Sequence, residues 1–301
     1  MSDRRTDIVT VDPPDRASAA WRVGLALIGR LPQGMLSRMT GRLADAPVPR
    51  FLRRYLFGAF ASIAGIDLAE AGRPLREYGT FDEFFIRQLR PGVRRWPADA
   101  RAIASPADGT VGQFGTVRDG ALLQAKGRPY TAAALLDDEA EAVRFDGGAF
   151  VTLYLSPRDY HRVHSPLGGS VAKVRHVPGA LLPVNEQAIS HVAGLFPRNE
   201  RVACYLDGPV GRVAIVAIGA FNVGRIEVVF DQSWRSNRRG SQARDVRYDP
   251  PHVIGRGDEL MTFHLGSTVV LLFEAANARL VDGLRTGSRI RLGDRIGSAI
   301  G

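Results

Sequence analysis

Apolar positions recur every three or four residues along the first part of the chain, which is the spacing of an amphipathic helix. This spacing predicts three short helices: one around Trp21 to Leu31 that is apolar almost all round, one opened by Pro32, and one opened by arginines after Pro49. The apolar faces predicted for the second and third helices are Met35, Leu36, Met39 and Leu43, and then Leu52, Tyr55, Leu56, Ala59, Phe60 and Ile63.

A fourth helix is predicted to begin at residue 81. Thr80, followed three residues later by Glu83, forms a capping box, and Pro91-Gly92 is a signal for the end of a helix. Phe81, Phe84, Phe85 and Leu89 make up its apolar face. We therefore expect this helix to extend to Pro91.

From residue 103 onward the pattern changes to short apolar runs, rich in β-branched and aromatic residues and punctuated by glycine and proline, which predict strands. The clearest runs are residues 150–155, 212–218, 225–230 and 268–273. No helical period separates successive strands regularly, which argues against a doubly wound parallel sheet. The glycine-rich stretch 287–297 resembles the turn of barrel-sandwich hybrid domains.

These patterns divide the chain into three predicted parts. Residues 1–16 hold two adjacent prolines and many polar residues and are expected to be a mobile leader. Residues 17–95 form a helical, membrane-association region, and residues 96–301 form a β-rich catalytic core. The predicted fold class is α+β, with a mainly β core of barrel-sandwich-hybrid type and N-terminal amphipathic helices.

The charge distribution adds an expectation about partners. The net charge is +9, and residues 16–60 carry eight arginines against one acid, Asp45. This local charge predicts an anionic partner, either nucleic acid or anionic lipid. The segment has no zinc-ligand spacing, helix-turn-helix signature or basic strand interleaved with aromatics, so nucleic acid is disfavoured. Basic amphipathic helices can lie in a membrane interface or pack on the domain behind them, and the sequence leaves both open.

Targeting and redox signals are sparse. The N-terminus lacks the basic start and apolar core of a secretory signal. The longest uncharged apolar run nearby, Val23 to Gly29, is far shorter than the roughly 20 residues that span a bilayer. The single cysteine, Cys204, rules out an internal disulfide and is expected to be a small buried residue.

Gly266 and Ser267 directly precede the apolar run 268–273. Glycine has no Cβ, so Gly266 can adopt the backbone conformation of a tight turn with little steric strain. Attack of the Ser267 hydroxyl on the Gly266 carbonyl would convert the peptide bond to an ester. β-Elimination would then leave a dehydroalanine that hydrolyses to an N-terminal pyruvoyl group. On these residues alone, a plain turn before a strand is the simpler interpretation.

Two histidines, His161 and His164, lie in a proline-bounded segment directly after the run 150–155. Histidine titrates near neutral pH, so the pair suits proton transfer. A tetrahedral metal site needs four ligands, and this pair supplies only two. We therefore predict no metal site. Together with Asp108 and Ser267 they supply a carboxylate, a base and a nucleophile, although the sequence does not show that these groups meet.

Five segments resemble, in the same order, the phosphatidylserine decarboxylase family. They are residues 105–109 (SPADG), 154–164 (YLSPRDYHRVH), 196–202 (FPRNERV), 219–226 (GAFNVGRI) and 257–268, which begins with GDEL and ends with FHLGST. The predicted helix 81–91 also matches, so the resemblance covers nearly everything after residue 15. The histidine segment and the Leu-Gly-Ser-Thr site are specific motifs, whereas the glycine-aspartate turns are weak by themselves.

The resemblance implies a self-processing proenzyme. Ser267 would be the self-cleavage serine and would become the pyruvoyl group, the covalent cofactor made by the chain itself. Cleavage between Gly266 and Ser267 would divide the protein into a β chain, residues 1–266, and an α chain, residues 267–301.

The resemblance also assigns roles to the other candidate residues. Asp108 would orient His164, and His164 would activate Ser267 for cleavage. His161 would act in the decarboxylation cycle, by protonating the carbanion. His264, two residues before the cleavage glycine, departs from the aromatic residue or lysine expected there, and its role is left open.

The implied reaction follows from the pyruvoyl ketone, an electron sink like that of pyridoxal phosphate. The ketone would form a Schiff base with the amine of phosphatidylserine, and loss of CO₂ would lead to phosphatidylethanolamine. Because this substrate stays in the bilayer, the resemblance implies a peripheral protein on the cytoplasmic face of a bacterial cell membrane. The expected partner is phosphatidylserine in an anionic membrane surface, and the family alone implies a homodimer.

Three alternatives remain open from the sequence. An ordinary serine hydrolase would use Ser267, His164 and Asp108 without self-cleavage, although the Gly-x-Ser-x-Gly pattern is absent. A non-catalytic membrane-surface binding module would show neither cleavage nor activity. A related decarboxylase could act on soluble amino acids, which the basic amphipathic N-terminus argues against.

Overall fold

The computed structural model describes residues 33–124, 128–184, 188–189, 192–220, 225–234, 236, 242–264 and 267–300. Within these residues the fold is α+β, with N-terminal helices followed by a mainly β core, which confirms the predicted class. The predicted leader 1–16 and the first predicted helix, around Trp21 to Leu31, lie outside the described residues.

The helices of the described residues are α1 (Gln33–Ala44), α2 (Arg50–Ala64), α3 (Phe81–Phe85), α4 (Ala132–Leu136), α5 (Glu139–Ala142) and α6 (Leu195–Arg198). Single 3₁₀ turns occupy Leu68–Glu70, Leu75–Glu77 and Val143–Phe145. The strands are β1 (Ala102–Ala104), β2 (Gly109–Thr116), β3 (Ala121–Gln124), β4 (Arg128–Thr131), β5 (Ala149–Leu155), β6 (Arg162–His164), β7 (Gly169–Val177), β8 (Arg201–Gly208), β9 (Gly211–Ile218), β10 (Arg225–Val228), β11 (Arg244–Ile254), β12 (Glu259–His264), β13 (Ser267–Phe273), β14 (Ala278–Leu280), β15 (Arg289–Ile290) and β16 (Arg295–Ala299).

An eight-stranded sheet forms the centre of the fold, in the order β11-β7-β8-β9-β13-β5-β2-β15. Strand β13 pairs with β5 on one side and β9 on the other. Val269 and Leu271 belong to the apolar cluster on one face of the sheet, and Val270 and Leu272 belong to the cluster on the other. Burial of both faces explains why this strand reads as a continuous apolar run rather than an alternating one.

Three smaller sheets complete the β core. The order is β10-β12-β6 in one and β1-β16-β14 in another, and β3 and β4 form a two-stranded ribbon. Every strand ladder of the described residues is antiparallel. This result confirms the prediction against a doubly wound parallel sheet.

The second and third predicted helices are present as α1 and α2. Helix α2 ends at Gly65, whose φ of 75° is the left-handed conformation of a helix C-cap. Its buried positions are Phe57 and Ala61, which pack with Tyr78 and Phe84. Much of the apolar stripe predicted from the spacing is exposed, because the aromatic residues that follow in the chain cover a different face of the helix. The exposed apolar residues of α1 and α2 are Met39, Leu43, Phe51, Leu52, Tyr55, Leu56 and Ile63.

The predicted capping box is present at the start of α3. The Thr80 hydroxyl accepts a hydrogen bond from the Glu83 amide at 3.1 Å, and the Glu83 carboxylate accepts one from the Gly79 amide at 2.7 Å. These two bonds satisfy amide groups that have no partner inside the helix.

The predicted end of this helix was wrong, because α3 stops at Phe85 rather than Pro91. Beyond it, the Arg87 guanidinium turns into the core and donates to the Arg158 carbonyl at 3.0 Å. The backbone at Gln88 accepts a hydrogen bond from the Gly72 amide at 2.8 Å. Contacts with distant segments therefore replace the helical bonds that the local pattern predicted.

No helix in the described part of the chain is long and apolar enough to cross a membrane.

Candidate active site

The strand register brings three predicted site segments to one end of strand β5. Ser267, the first residue of β13, lies opposite Leu155, the last residue of β5. Thr110, near the start of β2, lies opposite Tyr154 on the other side of β5. Asp108 immediately precedes β2, and the histidine segment immediately follows β5. The backbone of Ser267, the Asp108 loop and the histidine segment therefore share this end of the sheet, whereas Gly266 lies outside the described residues.

The His164 ring is buried and has a partner at each nitrogen. Nδ1 lies 2.6 Å from the Gly257 carbonyl oxygen, and Nε2 lies 3.1 Å from the Tyr160 hydroxyl. A carbonyl oxygen only accepts, so Nδ1 carries the proton and Nε2 of the neutral ring holds a lone pair. Burial lowers the pKa of His164 below its usual value of 6.5, which favours the neutral ring. This is the state that a general base requires.

Gly257 is suited to this contact by its backbone. Its φ is 94°, in the left-handed region, and a Cβ there would lie 2.8 Å from the Trp96 ring. Glycine thus lets the carbonyl reach Nδ1 of His164 while the Trp96 ring packs beside the imidazole, with ring centroids 6.1 Å apart. The sequence marked residues 257–260 only as a weak glycine-aspartate turn.

Asp108 is buried and held by partners other than His164. Its carboxylate accepts from Arg94 Nε at 3.0 Å and Nη2 at 2.5 Å, and from the Leu292 amide at 2.7 Å. Arg94 also binds Glu70 at 2.7 Å. Among the described residues, no hydrogen bond joins Asp108 to His164, because these other groups engage both side chains. The Asp108 charge nonetheless favours a proton on His164.

His161 has a contrasting environment. The ring is fully buried and stacks on Phe85 of α3, with ring centroids 4.1 Å apart. Among the described residues, neither ring nitrogen has a partner with hydrogen-bond geometry, although the backbone of Ser156 and Pro157 lies close enough to favour a proton on the ring. Burial, reinforced by the charge of Arg87, lowers the pKa of His161 to about 3. The main chain is fixed by the Phe263 amide, which donates to the His161 carbonyl at 2.9 Å.

Sequence reasoning missed the ion pair between Asp159 and Arg289. The Asp159 carboxylate accepts from both the amide and the hydroxyl of Ser156 at 2.7 Å, and it binds the Arg289 guanidinium. The Ser156–Asp159 spacing marks a local turn, but nothing in the sequence pairs this turn with an arginine 130 residues away. The pair links the histidine segment to the chain that follows Ser267.

His264, at the end of β12, is buried in a cluster of charged side chains. Nδ1 lies 2.7 Å from the Asp82 carboxylate and Nε2 lies 3.2 Å from Glu227. Arg225 also binds Asp82 at 2.7 Å, and its other terminal nitrogen binds Asp45 at 3.0 Å. We call these five side chains the His264 cluster.

Across the described ranges, no group of three or more histidine, cysteine, aspartate or glutamate side chains is placed to hold a metal ion. Cys204 is buried, as predicted. Burial raises the pKa of its thiol to about 12, so it is not a reactive thiolate.

Fold and site together define a mainly β protein whose titratable side chains gather at one end of a central antiparallel sheet. A family model described as phosphatidylserine decarboxylase matches residues 81–298. The chain is 48% identical over 281 residues to the phosphatidylserine decarboxylase proenzyme of Anaeromyxobacter sp. (strain K), covering 92% of this chain and 99% of that protein. It is 40% identical over 273 residues to the proenzyme of that name from Myxococcus xanthus (strain DK1622), covering 91% and 97%. The chain therefore belongs to the phosphatidylserine decarboxylase family.

Proposed function

We propose that this protein decarboxylates phosphatidylserine to phosphatidylethanolamine, using a pyruvoyl group that it makes from Ser267 by self-cleavage. The observation that carries the proposal is the register of β5. Because of this register, the backbone of Ser267 lies at the end of β5, where the chain enters the segment that contains His164. Burial favours the neutral ring of this histidine. The names of the relatives, which are called proenzymes, agree with a processed chain.

In the proposed self-cleavage, the Tyr160 hydroxyl releases Nε2 of His164, and Nε2 takes the proton from the Ser267 hydroxyl. The serine oxygen then attacks the Gly266 carbonyl carbon, and the peptide bond becomes an ester as its nitrogen regains a proton. Elimination across Cα and Cβ of Ser267 expels the Gly266 carboxylate, and hydrolysis of the resulting dehydroalanine releases ammonia. Gly257 holds the tautomer of His164 that this step needs, because its carbonyl accepts from Nδ1.

The environment of His161 fits a site that receives a substrate group. Buried polar atoms normally have partners, and among the described residues both ring nitrogens of His161 lack one. The pyruvoyl carbonyl supplies the electron sink for loss of CO₂. We propose that His161 delivers the proton that replaces CO₂ on the substrate carbon. An anionic substrate favours proton uptake by this ring, which otherwise holds a proton weakly.

We propose further that α1 and α2 attach the protein to an anionic membrane surface, on the cytoplasmic face of the cell membrane. Leu43, Phe51 and Ile63 are each at least 74% exposed, an unusual state for large apolar side chains. Arg42 and Arg50 are also exposed on these helices and suit lipid phosphates. Such an attachment brings the protein to a substrate that stays in the bilayer.

The proposal is tested by the intact mass of the purified protein under denaturing conditions, together with phosphatidylserine decarboxylase activity. We expect two chains that meet between Gly266 and Ser267, the smaller one carrying a ketone in place of its N-terminal amine. Ser267→Ala should remain a single 32.7 kDa chain without activity. Ser170→Ala, which alters another strand serine, should be processed and active.

Other results point to the other candidate functions. A single unbroken chain that hydrolyses esters would indicate a serine hydrolase. An unbroken chain that binds membranes without activity would indicate a binding module. A cleaved chain that decarboxylates free amino acids rather than phosphatidylserine would retain the pyruvoyl chemistry and change the substrate.

A further inference from the structure

The His264 cluster joins the helical region to the strand that precedes the proposed cleavage bond. Asp45 directly follows α1 and Asp82 lies in α3, whereas Arg225 and Glu227 lie in β10. His264 is the last residue of β12 and lies opposite Arg225 in the ladder between these strands. The imidazole and the Asp82 carboxylate are both buried, so their contact is shielded from water.

The charges of the cluster favour a proton on His264. Three carboxylates, those of Asp45, Asp82 and Glu227, face one guanidinium, that of Arg225. A protonated His264 leaves a net charge of one negative unit, whereas a neutral ring leaves two. Burial by itself lowers the pKa of His264, but the contacts with Asp82 and Glu227 outweigh it, so the pKa is raised above 6.5.

Each protonation state has its own bonding pattern. The protonated ring donates from Nδ1 to Asp82 in a charge-assisted bond. Its Nε2 lies 3.2 Å from the Glu227 carboxylate, a distance at which opposite charges attract, but without hydrogen-bond geometry. The neutral ring with its proton on Nε2 loses the bond to Asp82, and Nδ1 then accepts from the neighbouring Arg225. The neutral ring with its proton on Nδ1 keeps this bond but brings no positive charge to it, so loss of the proton weakens the connection between β12 and α3 in either tautomer.

We infer that protonated His264 is a positioning residue for self-cleavage, because it ties the end of β12 to Asp82 of α3 two residues before Gly266. This inference rests on the proposed self-cleavage. When His264 loses its proton, the segment before the cleavage bond loses a charge-assisted anchor, and we expect cleavage to be about fivefold slower.

Two histidines then shape the pH dependence of cleavage in opposite directions. His164 must be neutral to act as a base, and its pKa is lowered, so the rate rises with pH on the acid side of 6.5. His264 must be protonated to anchor β12, and its pKa is raised, so the rate falls on the alkaline side of 6.5. The rate should follow a bell-shaped curve.

The test follows cleavage of the newly translated full-length chain in buffers from about pH 5 to about pH 9, the range in which perturbed histidines titrate. We expect the His264→Gln chain to lose the alkaline limb and to cleave about fivefold more slowly at neutral pH. The Asp82→Asn chain should also cleave about fivefold more slowly at neutral pH and lose the alkaline limb, because the protonated ring no longer has a carboxylate of α3 to bind.

His176→Gln is the matched control. His176 is also buried and paired with a carboxylate, with Nε2 lying 2.8 Å from Glu200, but it lies in β7 and outside the His264 cluster. This variant should retain the parental bell shape. Each substitution is also placed in the Ser267→Ala chain, in which the thermal unfolding midpoint reports folding without cleavage.

An alkaline limb that persists in the His264→Gln chain or in the Asp82→Asn chain would overturn the inference. It would also fail if His264→Gln slowed cleavage by the same factor at every pH while lowering the unfolding midpoint, since that result indicates only structural support. Absence of cleavage at every pH in the parental chain would instead refute the proposed function, and this inference with it.

Discussion

His161 and His164 are three residues apart in the chain, yet their surroundings give them different chemical capacities. Both nitrogens of His164 have partners, and its neutral ring keeps a lone pair on Nε2. His161 stacks on Phe85, and neither of its nitrogens has a hydrogen-bond partner in the described part of the chain. The first environment favours a base of fixed orientation, and the second favours a group that acts when substrate arrives.

Substitution of each histidine should therefore affect a different step. His164→Ala should slow self-cleavage by at least about 100-fold, the usual contribution of a general base, and leave most of the chain unbroken. His161→Ala should be cleaved at least in part, yet decarboxylate phosphatidylserine about 100-fold more slowly per cleaved molecule. Denaturing mass spectrometry measures cleavage, and CO₂ release measures decarboxylation.

His252→Ala is the control for both substitutions, because His252 is exposed on β11 and, among the described residues, its ring stacks on Phe230 alone. It should be cleaved and active. If His161→Ala and His164→Ala blocked cleavage to the same extent, the division of roles between the two histidines would be refuted.

At the scale of elements, helix α2 presents two apolar faces with different partners. One face packs Phe57 and Ala61 against Tyr78 and Phe84. On the other face, Ile63 is 87% exposed, and no described part of the chain covers it. Packing on the domain and attachment to a membrane are therefore compatible uses of one helix.

Ile63→Asp should weaken binding to anionic phosphatidylserine vesicles by at least tenfold, because it removes the burial of one large apolar side chain, about 1.5–3 kcal/mol, and adds a negative charge. Vesicle co-sedimentation measures the change. Val253→Asp is the matched control, since Val253 is 80% exposed but lies in β11. Equal loss of binding in the two variants would contradict a specific role for α2.

In the molecule as a whole, the strands that begin at Ser267 and follow it pair with strands from the earlier part of the chain. Strand β13 lies between β5 and β9, β15 pairs with β2, and β16 pairs with β1. Arg289 adds an ion pair to Asp159. Cleavage at one peptide bond before β13 removes none of these contacts.

The two chains should therefore stay together after cleavage. We expect them to co-elute as one species in native size-exclusion chromatography and to unfold in a single thermal transition. They should separate only in denaturant, because release of the smaller chain would expose both faces of β13 and leave the ladders of β5 and β9 unpaired. Loss of the smaller chain under native conditions would contradict this arrangement.

Local patterns predicted helices α1, α2 and α3 and strands β5, β9, β10 and β13, but not the shorter elements or the full extent of each one. The apolar run 268–273 and the capping box at Thr80 were correctly read because both signals lie within a few residues. The end of α3 was misjudged, and the local pattern did not show which face of α2 packs on the protein. Each depends on segments that lie far away in the chain, such as the backbone around Gly72 and the aromatic residues after Leu75.

For the candidate site, the sequence by itself determined the family resemblance, the candidate residues and the chemistry they suit, because motifs and residue types are local properties of the chain. Only the tertiary structure decided which groups meet. In the folded chain, Asp108 binds Arg94, and His164 contacts Gly257 and Tyr160. His264 contacts Asp82, which is 182 residues away in the sequence. These pairings follow from strand register and from the packing of helices on sheets, which depend on contacts throughout the folded chain.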